Sequence, residues 1–125
     1  MYKRQTQTIA ASGSLTLGLN GGGLVDAFGS AIALLHVKAI LLVASAGNVN
    51  DVQIGPGATN AFNGPFSGTT PAIAVSPGET LLLTKGTGSA VGWAVTPSTG
   101  MNLKLANSGA GTGVTFSLVV LGTST

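Results

Sequence analysis

With one exception, the apolar runs of this chain end within strand length at a Gly, Pro, Asn or Ser signal. That pattern leaves little room for long helices and favours many short strands. The exception is residues 32–43, IALLHVKAILLV. A run of this kind suits a buried helix or a buried strand. The downstream chain is all short β-type runs, so a lone helix there would lack helical partners, and the run reads as the central strand. Alternation then places Val37, Ala39, Leu41 and Val43 on a core face. His36, Lys38, Ile40 and Leu42 fall on the opposite face, which begins polar and ends apolar. Ile40 and Leu42 therefore call for cover from a loop or a second subunit. On this reading, Leu42→Asp breaks assembly and leaves the fold intact.

The remaining chain divides at its turn signals. Residues 1–7 form a polar arm carrying Lys3 and Arg4, set apart from a single domain over residues 8–125 and expected to dock on a partner surface. Residues 8–19 give two short strands around Ser12-Gly13, with Leu15, Leu17 and Leu19 on one face. Residues 24–30 suit a short helical turn or an irregular loop with Asp26 as its cap. Strands are expected over residues 49–54, 73–75, 79–84, 91–95, 101–106 and 114–121. Turns fall at residues 20–23, at Gly55-Pro56-Gly57 and at Asn63-Gly64-Pro65, where Phe62 and Phe66 pin the loop to the core. In the last strand Val114, Phe116, Leu118 and Val120 face inward. Val119 and Leu121 make its other face apolar at the far end. Eight or nine short strands with regular turns imply an all-β fold, a β-sandwich, best matched by a jelly roll of about eight antiparallel strands. An immunoglobulin-like sandwich also fits the count, without the Cys-Trp-Cys mark.

Charge decides what such a sandwich is suited to. Only 6% of the 125 residues are charged, against 44% hydrophobic; globular chains usually carry about 25% charged residues. The surface must be largely Gly, Ser, Thr, Asn and Ala, which is cheap to desolvate and favours large permanent contacts. The net charge of +2 reflects scarce acids, and does not mark a nucleic-acid surface. There is no Cys, which excludes disulfides and thiolate metal sites. The start is basic but lacks an apolar signal-peptide core, and residues 32–43 are too short to cross a bilayer as a helix.

Catalytic chemistry has few carriers. Asp26, His36, Asp51 and Glu79 are scattered, with no metal-ligand spacing and no supported carboxylate pair. A Ser-His-Asp triad would need His36, and the nearest segment to a nucleophile elbow, Val43-Ala44-Ser45-Ala46-Gly47, has Val where the first Gly belongs. His36 is most simply a strand residue beside Lys38. Lys85-Gly86-Thr87 and the glycine run at 109–113 each precede a strand, so they read as hairpin turns and not as phosphate loops. Trp93 alternates with Val91 and Val95 and belongs with the core, although exposed it would suit sugar stacking. No catalytic, cofactor-binding or metal-binding residue is assigned, and no cofactor or small-molecule substrate is expected.

The order DAFG, VKAILLV, DVQIG, AFNGPF, IAVSPGETLLL, GWAVTP, LKLANSG and VTFSLVVLG resembles small Gly-rich virion proteins of tailed bacteriophages. The resemblance covers about four-fifths of the chain. Glu79 departs from it, standing where many of those proteins carry a second Gly after Pro-Gly. The resemblance implies a β-sandwich that decorates or cements a capsid shell, often as a trimer. The expected partners are further copies of the chain, as a homotrimer, and the major capsid protein. The expected location is the virion surface, after assembly from the host cytoplasm. Candidate interface residues are Lys3, Arg4, Ile40, Leu42, Val119 and Leu121. The alternative is a carbohydrate- or receptor-binding module of a virion or tail, using Trp93 and the loop from Phe62 to Phe66. A hydrolase centred on His36 is the third reading.

Overall fold

A computed structural model describes residues 2–21, 23–26, 28–55, 57 and 59–124, with residues 2–4 described by their backbone alone. Gly22 and Pro56, expected in turns, lie outside the described residues. Among the described residues there are eleven strands: β1 (Tyr2–Ile9), β2 (Ser14–Gly18), β3 (Leu24–Val25), β4 (Ala31–Ile32), β5 (His36–Ala44), β6 (Val52–Gly55), β7 (Ile73–Val75), β8 (Thr80–Thr84), β9 (Trp93–Ala94), β10 (Asn102–Asn107) and β11 (Val114–Thr123). None of the described residues is helical.

The expected all-β sandwich is what forms. One sheet has the order β1-β11-β5-β8, with β9 also pairing with β5, and the other has the order β2-β10-β6-β7. A small β3-β4 hairpin stands apart from both. All strand pairs are antiparallel. Leaving aside β3, β4 and β9, the strands pair in a nested order. β1 pairs with β11, β2 with β10, β5 with β8, and β6 with β7. The path is that of one long hairpin rolled into two sheets.

The core lies between the sheets. Val114, Phe116, Leu118 and Val120 of β11 are all buried, as alternation predicts, and Leu103 and Leu105 of β10 face them from the other sheet. Phe62 is buried in the same cluster, and Phe66 packs against it. At one end of the sandwich the buried Asn107 ties three segments together. Its Nδ2 donates to the carbonyls of Ala10 at 3.2 Å and Thr112 at 2.8 Å, and its Oδ1 accepts from Asn50 Nδ2 at 3.0 Å.

The central strand departs from the expected alternation. Ile40, Leu42 and Ala44 are in the core, together with Val37, whereas Leu41 is half-buried and Val43 is exposed. The cause is a bulge. Val37 pairs with Gly122 and Ala39 with Leu121, so Lys38 has no opposite number on β11. One extra residue reverses the facing of everything beyond it. On its other edge, β5 changes partners at the same point, from β9 at Val37 to β8 at Ala39. Lys38 Nζ donates to the carbonyls of Gly86 and Ser89, bracing the loop between those two strands. Gly122 permits the close approach, since a Cβ there would run into the His36 carbonyl oxygen. Ile40 and Leu42 therefore belong to the monomer's own core, and Leu42→Asp would unfold the chain.

Three further expectations are corrected. Residues 2–7 are not an arm: they belong to β1, which pairs with β11 from Tyr2 to Ile9. Of the two readings of residues 24–30, the helical turn is not formed: Leu24–Val25 pairs with Ala31–Ile32 as the β3-β4 hairpin, and Asp26 caps the loop. The run at 32–43 is broken at residues 33–35, between β4 and β5.

Candidate functional site

The first candidate surface is the outer face of the β1-β11-β5-β8 sheet. The register fixes what it displays. Val119, Leu41 and Leu82 form one row across three strands, and Leu121 pairs with Ala39 in the next. Ser117, Val43 and Thr80 follow on the other side. Leu82 is 60% exposed, Leu121 44% and Val43 37%, with Leu41, Val119 and Ala39 half-buried between them. Beyond the apolar stripe the face turns to hydroxyls, where Thr6 and Ser117 Oγ atoms stand 3.3 Å apart and those of Thr8 and Thr115 3.1 Å apart. From Thr6 and Thr8 on β1 to Thr80, Leu82 and Thr84 on β8, the described side chains of this face carry no charge.

Of the expected interface residues, this face brings together Val119 and Leu121. Ile40 and Leu42 point the other way. Arg4 pairs with Val119 and Lys3 with Val120 in the β1 register, while the side chains of both lie outside the described residues. Sequence reasoning missed Leu41, Val43 and Leu82. Leu82 was legible, because period two through Leu81, Leu82 and Leu83 turns the middle residue away from its neighbours. Leu41 and Val43 needed the bulge.

The β3-β4 hairpin supplies a second feature. Asp26 Oδ1 accepts from the N–H groups of Phe28 at 2.8 Å and Ser30 at 2.9 Å, and Asp26 N–H donates to the Ser30 carbonyl at 2.9 Å. The loop so held presents Phe28 at 94% exposure.

A third feature is an open pocket of about 190 Å³, lined by Gln53, Gly55, Gly57, Thr70, Ala72, Lys104 and Ala106. Gln53 and Gly55 of β6 pair with Ala106 and Lys104 of β10, so the floor is the outer face of the second sheet. The wall at residues 71–72 closes tightly on that floor: a Cβ on Gly55 would lie 2.5 Å from the Pro71 carbonyl oxygen.

The residues weighed for chemistry are dispersed. His36 is half-buried, with its Nδ1 3.5 Å from Thr123 Oγ1. Glu79 accepts from Ser76 N–H within its turn, and Asp51 N–H donates to Ser108 Oγ. Among the described residues no group of three or more His, Asp or Glu could hold a metal ion. Trp93 is half-buried against the core with Lys85 Nζ 5.9 Å from its ring centre, and Phe62 is buried. Among the described residues no helix is long and apolar enough to cross a membrane. Neither protein-family profiles nor curated protein sequences match the chain.

Proposed function

We propose that the chain is a structural protein of a phage virion, a capsid decoration or cement protein. The observation that carries this reading is the outer face of the β1-β11-β5-β8 sheet. An apolar stripe of Ala39, Leu41, Val43, Leu82, Val119 and Leu121 is left uncovered by the chain itself. Contiguous exposed apolar patches mark interaction sites. The described side chains of this face carry no charge and are desolvated at low cost, which suits a permanent contact with the major capsid protein. We read the nested strand pairing as a jelly roll, a fold that occurs in capsid and lectin domains. The sequence resemblance to phage decoration proteins points the same way. The protein then strengthens a shell by bridging neighbouring capsid subunits, without turnover.

The test is to add purified protein to phage heads assembled without it. Wild type should bind in fixed stoichiometry and raise the temperature at which the heads open. A Val43→Asp/Leu82→Asp/Leu121→Asp variant should stay folded by circular dichroism and fail to bind. Wild type that leaves the heads unchanged overturns the proposal.

A further inference from the structure

Phe28 and the pocket beneath Lys104 are unexplained by a shell-binding sheet face. Phe28 is almost wholly exposed, yet its loop is fixed by both hydrogen bonds to the Asp26 carboxylate. The loop backbone is fixed before binding, so only the Phe28 side chain itself has to be ordered, and aromatics dominate interface hot spots. Its neighbour Val25 is also exposed, which broadens the apolar tip. The pocket has room for such a ring. A cavity of about 150 Å³ accepts a benzene ring, and this one holds about 190 Å³. Small side chains form much of its lining, and it is open to the outside. Charge complements shape: the projecting loop carries one of the chain's three acids, Asp26, and the pocket carries Lys104. A lysine ammonium also suits the face of an aromatic ring.

We propose that copies of this chain associate head-to-tail, with Phe28 of one copy seated in the pocket formed by Gly55, Ala72, Lys104 and Ala106 of the next. The two surfaces differ, so the contact is heterologous and either closes into a ring or runs on as a filament. A closed ring fits a decoration protein, and this inference rests on that reading of the chain as an assembling protein. A single aromatic buries roughly 150–250 Å², so Phe28 anchors a wider contact whose rim includes Gln53 and Thr70. The sheet face stays free for the shell.

Complementary variants test this directly. Phe28→Ser removes the projection and keeps the pocket; Ala72→Phe plugs the pocket and keeps the projection. Light scattering after size exclusion should give a multiple of the 12.2 kDa chain for wild type. Each variant alone should be a folded single chain, with self-association weakened by roughly 30-fold or more. Mixed together, the two should form one-to-one dimers and nothing larger, because one intact projection and one intact pocket remain. A Phe28→Ser protein with wild-type mass overturns the inference, as does a mixture that stays monomeric. So does wild type that is monomeric at every concentration. If Phe28→Ser keeps wild-type mass but no longer loads onto heads, Phe28 faces the shell and the inference also fails. Loading of wild type onto heads is read separately, so either proposal can fail without the other.

Discussion

The bulge at Lys38 turns a single residue of register into a measurable difference between two leucines. Leu42 is fully buried, pairing with Leu118 on one side and Leu81 on the other. Leu82 is 60% exposed on the opposite face. Truncating a buried Leu to Ala costs about 2–5 kcal/mol, as lost transfer energy plus the cavity left behind. Burying a whole Leu side chain is worth roughly 1.5–3 kcal/mol. Leu82 keeps about two-fifths of its surface covered and opens no cavity, so Leu82→Ala should cost about 1 kcal/mol or less by that scale. Urea unfolding followed by circular dichroism separates the two. With a slope of about 2 kcal/mol per molar, a loss of about 3 kcal/mol moves the midpoint down by about 1.5 M. Leu82→Ala should move it by about 0.5 M or less.

Leu41→Ala is the decisive companion, since Leu41 sits one residue from Leu42 and faces outward. An unbroken alternation would put Leu41 in the core and Leu42 outside, so the two readings predict opposite orders of stability. If Leu41→Ala costs several kcal/mol and Leu42→Ala almost nothing, Lys38 is not a bulge and the proposed contact face lies on the other side of β5.

Two further outcomes follow from the fold. Deleting residues 2–7 removes the part of β1 that pairs with residues 116–121 of β11, so the truncated chain should lose cooperative melting by circular dichroism; a melting temperature within a few degrees of the full chain would show that this strand adds little. Asn107→Ala should lower stability by about 1–2 kcal/mol in urea unfolding, because it removes the hydrogen bonds to the Ala10 and Thr112 carbonyls and from Asn50 Nδ2, while Gly13 N–H and Asn50 Nδ2 still reach those two carbonyls, and a loss below about 0.5 kcal/mol would mean that water replaces the side chain without penalty.

Where the period was unbroken, the sequence was readable. Residues 114–121 alternate without interruption, and their buried face forms as expected. Leu103, Leu105 and Leu17 were equally plain. The β5 facing was not readable, because a bulge depends on what lies opposite. Gly122 and the change of partner from β8 to β9 are 84 or fewer residues away in sequence but adjacent in space. The β1 strand was hidden for another reason: YKRQTQT has no apolar alternation, and its place is set by the ladder with β11. Asp26 was legible as a cap, since an Asp among small loop residues readily accepts local N–H groups. That its loop would display Phe28 was not, because an aromatic in DAFG reads equally well as a core anchor.

The scarcity of charge gains a structural meaning from where the few charges go. Asp26 is engaged by two backbone N–H groups of its own loop and Glu79 by one in its turn. Lys38 is engaged by two loop carbonyls, and Lys85 lies over Trp93. These four side chains organise connections, where a globular protein would more often spend charge on solvating its faces. On the outer face of the β1-β11-β5-β8 sheet the described side chains are Thr, Ser and aliphatic, and Asn50 and Asn107 provide polar closure inside the sandwich end. Charged edges and faces are what usually keep β-sheet proteins apart. A face whose described side chains are uncharged and partly apolar suits the proposed contact with another surface, and Lys104, lining the open pocket on the second sheet, stands where the proposed contact between copies would be made specific.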